Sequence, residues 1–256
     1  MNLSKIIAIV NQKGGVGKTT TAVNLSAALA QLSRRTLLVD LDPQGNSSSG
    51  LGIDKAKLKY NTYDLLLEGI AAHLMILPTP QENLSIIPAG VELAVAEIEM
   101  VSLMSREYRL KEAMASLRQY YEYIFIDCPP SLGLLTINAL TAADSVLIPI
   151  QCEFFALEGV SQLNNTIHLV QKHLNKTLKI EGVLMTMYDN RINLAQQVVE
   201  DVRTHYGNQV YETVIPRNVR LSEAPSHGLP IALYDPHSKG AESYAALALE
   251  VIKHEH

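Results

Sequence analysis

Two lysines and three glycines share one short segment directly after an apolar run near the start of the chain. The run Ile6–Val10 leads into residues 11–20, whose sequence is Asn-Gln-Lys-Gly-Gly-Val-Gly-Lys-Thr-Thr. Closely spaced glycines let a backbone turn tightly and point its N–H groups at an anion. A helix that begins near Lys18 would add the positive end of its dipole. In such a loop Lys18 reaches the β- and γ-phosphates of a nucleotide, and the Thr19 hydroxyl holds Mg²⁺.

We therefore predict a nucleotide site at a phosphate loop, defined here as Lys13, Gly14, Gly15, Val16, Gly17, Lys18, Thr19 and Thr20. The usual pattern, G-x-x-x-x-G-K-[ST], requires glycine at position 12, where this chain has Gln12. The extra cation is Lys13. Because two lysines in one loop repel and one suffices for the subunit's own phosphates, we expect Lys13 to serve a second active site in trans. The alternative is that Lys13 is a solvated surface lysine.

Carboxylates follow two further apolar runs. Asp40 and Asp42 end the run that begins at Thr36 and precede a polar stretch, and Asp127 ends the run Tyr123–Asp127. Ligands of open parallel sheets bind at the carboxyl ends of the strands, and alternation puts Asp40 and Asp42 on one face, so both can point at the nucleotide. We expect Asp42 to orient or deprotonate the attacking water, and Asp42 and Asp127 to join Thr19 around Mg²⁺. The alternative for Asp42 is a cap on the following turn.

Short β-branched runs alternate with longer helical patterns, which indicates parallel strands joined by helices. The sequence predicts a three-layer, doubly wound α/β fold, with a mostly parallel twisted sheet between helices. The predicted strands are Ile6–Val10, Thr36–Leu41, Leu84–Ile87, Tyr123–Asp127, Ser145–Ile150, Ile180–Met185 and Val210–Ile215. The predicted helices are Lys18–Gln31, Tyr63–Leu67, Arg106–Tyr120, Leu134–Ala142, Glu158–His173, Leu194–Tyr206 and Ala241–Lys253. The polar stretch 43–60 is expected to be a flexible switch loop beside the nucleotide.

The composition favours one soluble globular domain over residues 1–256. Hydrophobic residues make up 47% of the chain and charged residues 18%, and no apolar stretch has the length of a membrane span. Cys128 and Cys152 are the only cysteines, which favours two buried thiols in a reducing compartment. The formal net charge of −5 gives no global sign of nucleic-acid binding, so any DNA contact must come from a local patch. Phe154 and Phe155 are expected to pack in the core; the alternative is an aromatic platform on which bases stack.

Four motifs together resemble the ParA/Soj family of DNA-partitioning ATPases, which carry a deviant Walker A loop on a P-loop NTPase fold. They are K-G-G-V-G-K-T-T, D-L-D-P-Q-G-N, F-I-D-C-P-P-S and the stretch from Ile215 to Gly228. The resemblance implies a cytoplasmic, nucleoid-associated ATPase that MgATP drives into a sandwich homodimer. It implies that Lys13 crosses to the partner's nucleotide, that Asp42 positions the water, and that Pro216, Arg217 and Asn218 contact the adenine.

The same resemblance implies that the dimer binds double-stranded DNA non-specifically, and that a ParB/Spo0J-type centromere-binding protein stimulates hydrolysis and so releases the DNA. Arg191, Arg217 and Arg220 are the candidate DNA contacts. The alternative is that each arginine pairs with a nearby carboxylate such as Asp189 or Glu223. A second functional alternative is a related ATPase that positions a protein cargo.

Two features separate the chain from other branches of that superfamily. Relatives that bind membranes end in a basic amphipathic helix, whereas the tail from Ala241 onward holds Lys253 against Glu242, Glu250 and Glu255, so we expect no membrane binding. Larger plasmid partition proteins carry an N-terminal helix-turn-helix. A first strand beginning near Lys5 leaves no room for one in this sequence.

Overall fold

The computed structural model describes residues 4–153 and 158–254. Phe154 and Phe155, predicted to pack in the core, lie outside the described residues. The strands are β1 (Lys5–Ile9), β2 (Thr36–Asp40), β3 (Leu77–Pro78), β4 (Leu84–Ile87), β5 (Tyr123–Asp127), β6 (Ser145–Gln151) and β7 (Lys179–Thr186). The α-helices are α1 (Lys18–Gln31), α2 (Asn46–Gly50), α3 (Thr62–Leu66), α4 (Leu93–Glu99), α5 (Arg109–Met114), α6 (Leu134–Ala142), α7 (Glu158–His173), α8 (Asn193–Tyr206), α9 (Val219–Glu223), α10 (Ile231–Tyr234) and α11 (Lys239–Lys253).

These strands form one sheet in the order β3-β4-β2-β5-β1-β6-β7. The pairings are parallel except for β3 with β4, which confirms the predicted mostly parallel sheet. Every residue of β2 and β5 is buried, as expected for central strands covered by helices on both faces. Asp127 is in register with Ile9 on one side and with Asp40 on the other. The predicted acidic residues therefore meet the start of the phosphate loop at one edge of the sheet.

Two hydrophobic clusters cover the two faces of the sheet, because alternate residues of a strand point to opposite sides. Ile6 and Ala8 belong to one cluster, and Ile7 and Ile9 to the other. Cys128 and Cys152 are buried free thiols, as predicted. In the ranges that the structure describes, no helix is both long and apolar enough to span a bilayer.

The prediction of a strand over Val210–Ile215 is wrong. The segment touches β7 only at isolated points, with Tyr211 N–H donating to Val183 and Ile215 N–H donating to Met185. The N–H groups of Glu212 and Thr213 instead donate to the Glu250 carboxylate of α11, at 2.6 and 3.0 Å. Because a side chain takes the donors that a ladder would use, no eighth strand forms within the described residues.

The predicted helix Arg106–Tyr120 is also broken, into a 3₁₀ turn, α5 and a second 3₁₀ segment. An α-helix would join Leu110 N–H to the carbonyl of Arg106. The amide of Asn138 on α6 stands between them, because its oxygen accepts from Leu110 N at 3.1 Å and its nitrogen donates to the Arg106 carbonyl at 2.8 Å. Because of this tertiary contact, α5 begins at Arg109 and not at Arg106.

The stretch 43–60 is more ordered than the predicted flexible loop. It contains α2 and a 3₁₀ turn over Lys55–Lys57. The Nζ of Lys55 in that turn donates to the Gln44 carbonyl at 2.9 Å. Gly45 precedes α2 in the left-handed region, at φ 62°, where glycine carries no steric penalty. This order fixes the position of the residues that follow Asp42.

Candidate nucleotide-binding site

The phosphate loop has the backbone of an anion site. Gly15 and Gly17 adopt φ values of 76° and 89°, which side chains rarely tolerate. Gly17 precedes α1 without any side-chain cap, and the first turn of α1 holds no acidic residue. The first N–H groups of the helix and the positive end of its dipole therefore face the loop without an internal anion.

Two residues outside the glycine-rich pattern hold this loop in place. The Thr186 hydroxyl at the end of β7 donates to the Val16 carbonyl at 2.8 Å. Asn11 is buried, donates from Nδ2 to the Pro149 carbonyl at 2.7 Å, and accepts the Lys13 N–H at 3.0 Å. Sequence reasoning missed both residues. The only available signal was that Asn11 is a polar residue directly after an apolar strand.

The two lysines of the phosphate loop point to different environments. Lys18 is buried, and its Nζ donates to the carbonyl of Lys13 at 3.0 Å, across the loop. Burial lowers the pKa of Lys18, while the nearby charge of Asp127 opposes that shift. The Lys13 side chain is 38% exposed, and its Nζ lies 3.5 Å from the Glu153 carboxylate. One cation thus faces the loop interior and the other faces outward.

Asp127, like Asp40, is a fully buried carboxylate of the site. Ser47 Oγ donates to its Oδ2 at 2.7 Å, whereas its Oδ1 is buried without a hydrogen-bond partner in the part of the chain that the structure describes. Burial is the main cause that raises the pKa of Asp127, and the Asp40 charge adds to it, while the Thr19 hydroxyl lowers it. A buried carboxylate oxygen with an open lone pair beside a threonine hydroxyl fits Mg²⁺ or its water shell.

Among the described residues, no three histidine, cysteine or acidic side chains form a group that could hold a metal ion. Mg²⁺ seldom uses an all-protein cage and is held by one or two protein ligands together with the phosphates of its nucleotide. Thr19 and Asp127 are suited to that arrangement.

The Asp40 carboxylate is engaged by groups of the protein itself, contrary to the prediction that both Asp40 and Asp42 can point at the nucleotide. Its Oδ2 accepts from both N–H and Oγ of Ser48, at 2.8 and 2.7 Å, and its Oδ1 accepts from Asp42 N–H at 3.3 Å. Ser48 Oγ also accepts the Ala89 N–H at 3.0 Å. Asp40 therefore binds α2 to the end of β4. Ser47 and Ser48 were not singled out from sequence because serines in a polar stretch resemble any loop.

Asp42 shows the capping contact that was its alternative. Its Oδ1 accepts the Gln44 N–H at 2.9 Å, and the Asp42 carbonyl accepts from Gly45 N–H at 2.8 Å. The hydrogen bonds of the described residues use Oδ1 of this side chain and leave Oδ2 for a ligand. Asp42 is 6% exposed, and its charge acts on Lys18 and Asp127. The contact with Gln44 N–H fixes the Asp42 carboxylate close to Lys18 and Asp127.

The segment Pro216–Asn218 lies beside the phosphate loop. Tyr188 N–H donates to Ile215 and Arg217 N–H donates to Tyr188, just beyond the β7 end that contacts Val16. Glu153 links the two parts, because its second carboxylate oxygen lies 3.9 Å from Arg217 Nη2. The Asn218 side-chain oxygen accepts Arg220 N–H at 2.8 Å and caps α9. The Asn218 oxygen keeps a second lone pair and its amide nitrogen carries two hydrogens, so the side chain retains an acceptor and donors for a ligand.

The predicted DNA contacts Arg191 and Arg220 both pair with carboxylates, as their alternative anticipated. Arg191 donates to both oxygens of Asp189, at 2.9 and 2.6 Å, although its side chain is 84% exposed. Arg220 contacts Glu223 at 2.9 Å and Asp235 at 3.4 Å. Exposed ion pairs contribute little free energy, so these guanidinium groups can exchange one anion for another.

Comparison with known proteins assigns the family. A family model, AAA_31, described as "AAA domain", matches residues 4–180. The chain is 64% identical over 249 residues to sporulation initiation inhibitor protein Soj of Bacillus subtilis, covering 97% of this chain and 98% of that protein. It is 57% identical over 251 residues to chromosome partitioning protein ParA of Myxococcus xanthus, covering 98% and 89%.

A solved structure shares the fold over nearly the whole chain. It is cobyrinic acid a,c-diamide synthase from Mycobacterium smegmatis with bound ADP and magnesium, with a TM-score of 0.87, 39% identity, and coverage of 98% of this chain and 95% of that one. This likeness carries the architecture, and not that protein's named reaction. The family model, the relatives and the seven-stranded sheet agree with the four sequence motifs. The chain belongs to the ParA/Soj family of chromosome-partitioning ATPases.

Proposed function

We propose that this chain binds ATP and Mg²⁺ at the phosphate loop, dimerises across the bound nucleotides, and then binds double-stranded DNA without sequence preference. Hydrolysis is slow until a ParB/Spo0J-type partner stimulates it, and hydrolysis releases the DNA. The observation that carries the proposal is that the two lysines of the phosphate loop face opposite ways. Lys18 is turned inward to the Lys13 carbonyl, while Lys13 is turned outward.

Nucleotide binding follows from the groups that the site leaves open. Lys18 exchanges a single carbonyl acceptor for the charged phosphates, which are stronger acceptors. Thr19 and the open Oδ1 of Asp127 would hold Mg²⁺, which would supply positive charge next to the phosphates. Asp42 uses its free oxygen to orient the attacking water, because the turn contact with Gln44 already fixes the carboxylate. The cobyrinic acid a,c-diamide synthase of Mycobacterium smegmatis, which shares this fold, has also been solved with a bound ATP analog and magnesium, which supports the same ligands for this chain.

Dimerisation follows from the position of Lys13. Its own subunit's phosphates are served by Lys18, and among the residues that the structure describes its ammonium group contacts the exposed Glu153 carboxylate, at 3.5 Å. An exposed pair of this kind contributes roughly 0–1 kcal/mol. Lys13 is therefore free to stabilise the phosphates of a facing subunit, as an arginine finger does in trans. Two copies related by a twofold axis would exchange this contact reciprocally.

DNA binding follows from a small number of exposed arginines, because a dimer presents twice as many of them as a single subunit. The net charge of −5 makes a lone subunit a poor ligand for a polyanion. Arg191, Arg217 and Arg220 are all strongly exposed, and each is paired only at the surface. Phosphates can replace these carboxylate partners, and the counterions that they release make the affinity fall steeply with salt. Binding through phosphates carries no sequence information.

The test is sizing chromatography and a gel shift on the same duplex DNA, with MgATP, MgADP or no nucleotide. We expect a dimer and a shifted duplex in MgATP, and a monomer with weak DNA binding in the other two conditions. Duplexes of unrelated sequence serve as the matched control and should shift equally. A dimer that forms in MgATP without binding any duplex favours the alternative function, the positioning of a protein cargo. A monomer at saturating MgATP contradicts the proposal.

A further inference from the structure

A large groove lies at the amino-terminal edge of the sheet, opposite the nucleotide site. Its volume is about 1360 Å³, and it is lined by the first residues of β1, β5, β6 and β7 together with His254, which follows α11. Since β1 has five residues and is therefore about 15 Å long, the depth of the sheet separates the groove from the phosphate loop. The volume is large enough for a ligand of several linked groups and not only for a single ion.

Two carboxylates of the groove are neutralised by arginines. Asp144 accepts from both terminal nitrogens of Arg118, each at 2.9 Å, in a bidentate ion pair. Glu122 lies 2.8 Å from Arg34 Nη1. These four side chains all line the groove, and as a group they carry no net charge. The charge of the groove is therefore decided by its remaining residues.

Lysines outnumber carboxylates among those remaining residues. Glu181 accepts from Lys5 Nζ at 2.8 Å and from Ser145 Oγ at 2.7 Å, so this acid is also paired. Lys176 and Lys179 line the groove as well, are exposed, and form no ion pair within the part of the chain that the structure describes. Although the formal net charge of the whole chain is −5, the described lining of this groove carries an excess of positive charge.

Ser4 adds an unpaired hydroxyl to the lining. The residue is 2% exposed, and its carbonyl accepts from Arg118 Nη1 at 2.9 Å. Its Oγ is buried and has no hydrogen-bond partner among the described residues. A buried hydroxyl in that state costs free energy, and a water or an ion commonly supplies the missing bond. An acceptor oxygen of a bound ligand would complete the hydrogen bonding of Ser4.

The groups that remain available define the class of ligand. They are two ammonium groups and one hydroxyl, and all of them can donate hydrogen bonds to an oxyanion. Ammonium groups bind phosphate oxygens through short, charge-assisted hydrogen bonds. Duplex DNA fits the groove less well, because Arg191, a residue of the proposed DNA contact, lies beyond the other end of β7, an eight-residue strand about 25 Å long.

We propose that this groove binds a small soluble polyanion that carries several linked phosphate groups. Lys176 and Lys179 bind the phosphate oxygens, and the Ser4 hydroxyl donates to one of them. Neither the phosphate loop nor the proposed dimer takes part in this binding. The inference therefore goes beyond the proposed function and does not depend on it.

The test is a calorimetric titration of inorganic tripolyphosphate into the full chain carrying Lys18→Ala, without magnesium or nucleotide. Because this background removes the lysine that the phosphate loop offers to phosphates, binding at the nucleotide site is suppressed. We expect one tripolyphosphate to bind per chain. Lys176→Gln and Lys179→Gln, each added to this background, should weaken the binding about tenfold or more, since each removes a charge-assisted hydrogen bond.

Lys172→Gln is the matched control. Lys172 is an exposed lysine on α7 that is not among the described lining residues, so its substitution removes the same charge from outside the groove. Binding of tripolyphosphate should be unchanged in this variant. Equal weakening by Lys172→Gln and the two groove variants would reveal a general effect of charge and overturn the proposal. The absence of any binding in the Lys18→Ala background would also overturn it.

A short DNA duplex titrated into the same protein is the second arm of the experiment. We expect no duplex binding that depends on Lys176 or Lys179. Duplex binding that both groove variants weaken would make the groove a DNA contact and would overturn its assignment to a small ligand. Because no nucleotide is present, failure of the proposed ATP-driven dimerisation gives a separate result.

Discussion

Ser48→Ala tests whether Asp40 is a structural residue. Ser48 Oγ makes two contacts, donating to the Asp40 carboxylate at 2.7 Å and accepting the Ala89 N–H at 3.0 Å. All three groups are buried. The substitution removes both contacts at once, although Asp40 still accepts from the Ser48 and Asp42 N–H groups. The change therefore disconnects α2 from β4 without opening a large cavity.

The magnitude follows from the two lost contacts. A hydrogen bond to a carboxylate contributes roughly 1.5–3 kcal/mol, and a stranded buried N–H costs roughly 1–3 kcal/mol. We expect Ser48→Ala to lower the free energy of unfolding by roughly 3–5 kcal/mol, which guanidinium denaturation measures as a lower midpoint. Ser49→Ala is the control, because Ser49 is the neighbouring serine of α2 and is exposed. Surface substitutions of that kind stay within about 0.5 kcal/mol.

The reasoning is refuted if the two serine variants unfold at the same guanidinium concentration. That result would mean that Ser48 does not connect Asp40 to Ala89, and it would return Asp40 to the nucleotide-facing role that the sequence pattern predicts. A nucleotide-binding measurement on the same variants separates the two roles. Ser48→Ala should change ATP affinity less than it changes stability.

The remaining predictions concern the proposed functional groups. Lys18→Ala should lower ATP affinity about 10- to 100-fold in a calorimetric titration, because it removes charged hydrogen bonds to phosphate. Lys13→Ala should retain ATP binding and lose ATP-driven dimerisation, and normal dimerisation and turnover in this variant would contradict the trans role. Asp42→Ala should slow hydrolysis about 10²-fold in a phosphate-release assay and retain an ATP-bound dimer on DNA, while a monomer in saturating MgATP would leave Asp42 only its capping role. Asn218→Ala should weaken ATP and also destabilise α9 by about 1 kcal/mol, and Asn218→Asp, which keeps the cap, isolates the amide contribution; unchanged affinity in both removes the adenine assignment. Arg191→Ala should weaken DNA binding equally on all sequences and reduce the salt slope by about 2, one contact from each subunit of the dimer, without affecting dimerisation. Wild-type affinity at low salt would direct the search to Lys172, Lys176 and Lys239.

The nucleotide loop could be predicted from sequence because its chemistry is local. The glycines, Lys18 and Thr19 lie within a few residues of each other, and the strand before them and the helix after them follow from short-range patterns. The order of apolar runs and helical patterns likewise predicts a parallel sheet, whose strand ends gather the acidic residues at one edge. These inferences needed no knowledge of distant contacts.

Other elements depend on groups far away in the chain. Val210–Ile215 has the pattern of a strand, yet Glu250 takes two of its N–H donors. Arg106–Tyr120 has the pattern of one helix, yet Asn138 takes the carbonyl and N–H that its first turn would join. Backbone groups bond to whichever partner the fold brings close, and local propensity does not identify that partner.

Within the site, sequence placed Asp40 and Asp42 on one face but could not separate their roles. Tertiary structure decided that Ser48 and α2 take the Asp40 carboxylate, while Asp42 retains an open oxygen near Lys18. The same holds for the groove at the amino-terminal edge of the sheet, whose lining residues come from strand starts that are distant along the chain. Sequence determined which chemical groups follow each strand, because chain order fixes them. Only the packed fold determined which of those groups are already bonded within the protein and which remain available to a ligand, because hydrogen-bond partners and burial are set by residues that are distant along the chain.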